Sequence, residues 1–122
     1  MAVLEYNGIG PGSYIVSKAN GYRSLETITL KEGENLIAGT LLGKVTDTGE
    51  FKRYDPDATD GSEHVAGILH ETVDATEEAK KCVAMARDGE VNGKLLTYSD
   101  GADDDAIATA NTELEALGLI VR

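Results

Sequence analysis

The chain has 122 residues, 41% of them hydrophobic, and its 11 basic and 22 acidic groups leave a formal net charge of −11. That length provides one domain with one modest core, and an acidic body of this kind repels nucleic acid. A single cysteine, Cys82, excludes an intrachain disulfide and suits a reducing cytoplasm, and no stretch approaches the roughly 18 consecutive apolar residues of a membrane helix. The start, Met-Ala-Val-Leu-Glu, lacks the basic lead and apolar run of a signal peptide. With five Tyr, one Phe and no Trp, the core must rely on aliphatic residues, and fourteen glycines against two prolines predict many tight turns, as in an all-β chain.

Residues 1–24 are unlike the rest. Asn7-Gly8-Ile9-Gly10-Pro11-Gly12 is too rich in glycine to hold a regular element, and Asn20-Gly21 is a turn signal. Charge divides at the same place. Residues 1–25 hold Lys18 and Arg23 against Glu5, a net of +1, and the other nine basic and twenty-one acidic groups give the remainder −12. A frayed terminus is one reading of this segment. The other is an arm that orders on a partner, with Tyr14, Ile15, Val16 and Tyr22 as apolar anchors and Lys18 as a charged contact. The expected organisation is therefore a flexible arm over 1–24 and one β-rich body over 25–122.

Leu25 to Leu30 alternates, with Glu26, Ile28 and Leu30 on one side, and predicts a strand. Lys31–Asn35 is a turn. Leu41–Val45 and Phe51–Tyr54 are two runs joined by Asp47-Thr48-Gly49, the pattern of a β-hairpin. Asp55-Pro56-Asp57 and Asp60-Gly61 punctuate a loop, and Val65–Leu69 is a return strand. Asp74 to Arg87 is open on periodicity alone. Asp74 with Glu77 resembles an N-capping pair, while Asp88-Gly89 is a hairpin turn signal that favours a loop over 74–79 and a strand over 80–87. A helix is predicted near the end, where Ile107, Ala110, Leu114 and Leu117 form a stripe behind Asp103, Asp104 and Asp105. Gly118 is its expected left-handed stop, followed by a short strand over Leu119–Val121.

Little in the chain suggests chemistry. Gly39-Thr-Leu-Leu-Gly43-Lys44 has three residues between its glycines instead of four, and Val45 stands where a phosphate loop needs Ser or Thr. Asp55, Asp57, Asp60 and Glu63 are the best candidate cation ligands. Counted from Asp55, however, Thr59, Asp60 and Ala66 occupy the fifth, sixth and twelfth positions, which breaks the calcium-loop pattern. His64, His70 and Cys82 are too few and too dispersed for zinc, and Cys82 lies in an apolar run where a small core residue is the default. No serine sits in a nucleophile elbow. The reading is a non-enzyme with no cofactor and no metal.

Gly39-Thr-Leu-Leu-Gly-Lys-Val45, Thr59-Asp-Gly-Ser62 and Ala66-Gly-Ile-Leu69 resemble the head decoration proteins of lambda-type tailed phages. Tyr22–Leu30 resembles the segment joining that family's arm to its body, and Arg87–Asn92 and Gly118–Arg122 resemble its late strands. The resemblance implies a mainly β fold, a β-clip in which a bent ribbon curls into an incomplete barrel, here with one C-terminal helix. It favours the strand over 80–87. It also implies a homotrimer that binds the major capsid protein on the outer surface of the expanded head, made in the host cytoplasm, and that steadies the shell against packaged DNA. Two alternatives stand beside it: a β-rich ligand-binding or carrier module, which needs a modified lysine at a hairpin tip, where neither Lys44 nor Lys94 is convincingly placed, and a small metal-dependent β-clip enzyme.

Overall fold

The computed structural model describes residues 11–18, 24–99 and 101–122. The strands in chain order are β1 (Ile15–Lys18), β2 (Leu25–Leu30), β3 (Asn35–Leu36), β4 (Leu41–Lys44), β5 (Phe51–Arg53), β6 (Gly67–Leu69), β7 (Val73–Asp74), β8 (Lys80–Met85), β9 (Gly89–Val91) and β10 (Leu119–Val121). One α-helix, α1 (Asp104–Ala116), precedes β10, so the described residues are mainly β with a single C-terminal helix.

Five strands close a barrel in the order β2-β5-β4-β6-β8. The expected alternation of β2 holds: Ile28 and Leu30 face inward and are buried, and all six β2 residues pair with β8, from Leu25↔Met85 to Leu30↔Lys80. The β4–β5 hairpin forms with Lys44↔Phe51 nearest the turn, where Gly49 supplies φ +75°. The barrel expected to be incomplete closes, but only through one parallel pair, Leu30↔Phe51. Ile28, Leu30, Leu42, Phe51, Leu69, Cys82 and Ala84 fill its interior, and Leu36 and Ala75 near the two-stranded β3–β7 sheet extend that cluster.

A second apolar cluster lies outside the barrel wall. Leu41, Ile68 and Met85 point outward and meet Ala110 and Leu114 of α1, Val91 of β9, Leu119 of β10, and Tyr14. Neighbouring residues of one strand thus serve different cores: Leu41 and Leu42, Ile68 and Leu69, Ala84 and Met85. Asp103 caps α1 by accepting from Ala106 N at 2.9 Å. Gly118 stops the helix at φ +85°, and Leu119 turns back into the cluster that holds Leu114, as the C-terminal signal predicts.

Two expectations are corrected. Asp88-Gly89 turns the chain, but β8 and β9 do not form a hairpin. Asp88 takes the left-handed conformation (φ +55°), and β9 leaves the barrel to pair with β1 and β10. The flexible arm also does not extend to residue 24, because Gly12–Lys18 belongs to the body. Tyr14 is 0% exposed and β1 pairs with β9, since a large aromatic ring and a free strand edge both gain by covering each other. Residues 1–10 and 19–23 lie outside the described residues, and the arm expectation for them is untouched by this correction.

Candidate functional site

The three-stranded sheet β1-β9-β10 carries most of the residues that the sequence singles out. The chain enters it at Gly12, whose N–H donates to the His70 carbonyl at 2.8 Å. A Cβ at this position would lie 2.9 Å from His70 Cε1, so only glycine crosses the imidazole this closely. Tyr14 then turns inward. Its carbonyl accepts from Asn92 N at 2.7 Å, and burial pushes its hydroxyl well above the usual phenol range. Ile15 pairs with Val91, Ser17 with Glu90 and Lys18 with Gly89, and the register shifts between Ile15 and Ser17. Val16 sits at that irregularity and is 56% exposed, a large hydrophobic side chain held out on an edge strand.

Polar contacts tie the sheet together across its strands. Glu90 accepts from Arg122 Nε at 2.9 Å and also from Ser17. The arginine hydrogen bond is the leading reason its carboxyl lies below the usual range. Of the expected arm residues, then, Val16 and Lys18 are exposed on the edge, Ile15 packs against the outer cluster, Tyr14 is core, and Tyr22 lies outside the described residues. The edge can offer backbone hydrogen bonds and one apolar side chain to an added strand.

The acidic loop after β5 is committed to its own turns. Asp55 Oδ1 accepts from Asp57 N at 3.0 Å, and Glu63 Oε1 from Gly61 N at 2.8 Å. Asp60 Oδ1 accepts from Ser62 N at 3.0 Å and from Ser62 Oγ at 2.6 Å, and these bonds hold its carboxyl below the usual range. Among the described residues no group of three His, Cys, Asp or Glu side chains is placed to hold a metal ion. Cys82 is buried, and that burial pushes its thiol away from the reactive thiolate.

Sequence reasoning missed Glu113. It accepts from Val65 N at 2.7 Å and stands 3.5 Å from His64 Nδ1, fastening the acidic loop to α1. A signal existed, since a carboxylate in the last turn of a helix opposes the dipole and calls for a partner.

A comparison with protein families matches residues 5–119 to the family described as bacteriophage lambda head decoration protein D. No curated protein matches the chain. The fold and the match along nearly the whole chain agree with the resemblance carried by Gly39–Val45, Thr59–Ser62 and Ala66–Leu69, and the chain belongs to the bacteriophage lambda head decoration protein D family.

Proposed function

We propose that this phage head decoration protein binds the outer surface of the expanded head as a trimer and cements the shell against the pressure of packaged DNA. The match of residues 5–119 to a head decoration family carries this reading. The partner in the proposal is the major capsid protein, and the protein acts by binding and not by catalysis. Physical economy supports trimerisation: a small body with one phenylalanine and no tryptophan gains stability by burying area between subunits. Three subunits also present three attachment segments at once, which turns a weak contact into a tight one.

The attachment segment we propose is the stretch before Gly12 together with the exposed edge of β1. Val16 and Lys18 remain its candidate contacts, and Tyr22 stays a candidate beyond the described residues. Tyr14 and Ile15 act from within, holding the edge in place. Co-sedimentation with expanded and unexpanded heads is the test. The wild-type chain is expected to pellet with expanded heads only, and failure to pellet with them would overturn the reading. Val16→Asp should weaken pelleting about tenfold or more without unfolding the body, because a charge on an edge strand opposes strand addition.

A further inference from the structure

We propose that Asn92-Gly93 is a latent self-modification site, armed by the turn that follows it and held off by the end of β10, and that its reaction makes an opening of the outer sheet irreversible.

The chemistry belongs to an asparagine followed by glycine. The Gly93 nitrogen attacks Asn92 Cγ, the new C–N bond closes a five-membered imide, and ammonia leaves. Water then adds to either imide carbonyl. One opening gives aspartate. The other gives isoaspartate, in which the main chain runs through the former side chain and is one atom longer. Water is the only reagent consumed, and glycine has no side chain to obstruct the attack.

Local geometry arms one reacting group and withholds the other. Asn92 Oδ1 accepts from Lys94 N at 3.0 Å. That bond polarises the side-chain carbonyl toward attack, as a donor does at a developing oxyanion. The nucleophile is turned away. Asn92 has an extended ψ of 109°, which puts Gly93 N on the far side of the Cα–C bond from Cβ. Ring closure needs it on the near side, so the Asn92–Gly93 peptide plane must rotate. Rotation breaks two hydrogen bonds: Gly93 N donates to Arg122 O at 3.3 Å, and Leu95 N donates to Asn92 O at 3.0 Å. Asn92 cannot turn as a whole instead, because its own N–H donates to Tyr14 O at 2.7 Å. Val121 crowds the remaining space, since a Cβ on Gly93 would lie 2.8 Å from Val121 Cγ1. The plane is therefore free to rotate only when the end of β10 leaves β9.

One of the two products cannot close again. Arg122 brackets Asn92: its N–H donates to Val91 O at 2.8 Å, and its backbone oxygen accepts from Gly93 N. An extra main-chain atom between those anchors breaks the bracket. The aspartate product keeps the spacing and caps the following turn as well as asparagine does. The isoaspartyl chain is thus a lasting record of an opened outer sheet.

The test is peptide mapping by mass spectrometry after incubation of the full chain at mildly alkaline pH, in buffer and in concentrated guanidinium chloride. Asn92 should convert at least about tenfold more slowly in buffer than in denaturant, because the reactive rotation waits on opening. Removal of Arg122 should raise the rate in buffer about tenfold or more, at a temperature where circular dichroism shows the body folded. Arg122→Gln keeps the backbone and should leave the rate near wild type. After refolding, chains with isoaspartate at position 92 should have a lowered urea midpoint, and Asn92→Asp a midpoint near wild type. Equal Asn92 rates in buffer and denaturant, no acceleration on removing Arg122, the same acceleration in Arg122→Gln, or isoaspartyl chains as stable as wild type would each overturn the proposal.

Discussion

The barrel interior and the layer outside its wall solve the same burial problem with different stretches of chain. The interior is filled by residues from Ile28 to Ala84, on strands that include one tight hairpin, β4–β5, and one long-range ladder, β2–β8. The outer cluster joins Tyr14 at one end of the chain to Val91, Ala110, Leu114 and Leu119 at the other, against Leu41, Ile68 and Met85. Local alternation marks which side chains face into the first. The second forms only when distant segments meet, so it depends on a few large side chains that no local pattern announces.

That contrast can be broken most sharply at Tyr14. Tyr14→Ala should destabilise the body by about 3–5 kcal/mol, the usual cost of removing a buried aromatic ring. Deletion of residues 2–10 should leave the urea midpoint near wild type. Urea titration of both variants checks the pair, and a Tyr14→Ala variant as stable as wild type would return Gly12–Lys18 to a loosely held arm.

Gly43→Ala probes the seam between the hairpin and the acidic loop. A Cβ there would sit 2.5 Å from the Ser62 carbonyl oxygen and 2.6 Å from Ser62 Cα, both backbone atoms that cannot swing aside. The expected cost is about 1–3 kcal/mol by the same titration. Gly118→Ala should cost about 1–2 kcal/mol, because φ is +85° and the new Cβ would lie 2.9 Å from Asp88 Oδ1. An unchanged midpoint would mean that the turn from α1 into β10 tolerates another conformation.

The smallest effect is on acid stability. The folded state holds the Asp60 carboxyl below its usual value through Ser62, and the Glu90 carboxyl through Arg122. Both contributions are therefore complete above the ordinary carboxylate range and are lost as pH falls through the lowered folded values. Ser62→Ala and Arg122→Gln should each flatten the acid limb of the stability profile slightly and leave stability near neutral pH falling less steeply toward acid than in wild type. Melting temperatures between about pH 2 and pH 6 would show it.

Much of the barrel was legible because strand alternation and turn residues leave local marks. Ile28 and Leu30 declared the inner face of β2, Gly49 its neighbouring hairpin turn, and Asp103 and Gly118 the two ends of α1. The β1 edge was legible only as a change in composition. The same β-prone run, Tyr14-Ile15-Val16, reads equally well as anchors for a partner or as core, and the choice depends on whether β9 has a free edge to offer, which is a tertiary fact. Asp88-Gly89 misled for a related reason. Its turn chemistry was read correctly, but a turn does not say which sheet the next strand will join.

The divided loyalty of β4, β6 and β8 has a dynamic consequence. Each sends alternate side chains into two cores, so neither layer can open while the other stays packed. Backbone amides of these strands should exchange with solvent deuterium only when the whole body unfolds, all at one slow rate. Amides of β1, held through a single neighbour with an irregular register, should exchange sooner. A body organised this way would fail under load all at once, with little gradual softening beforehand.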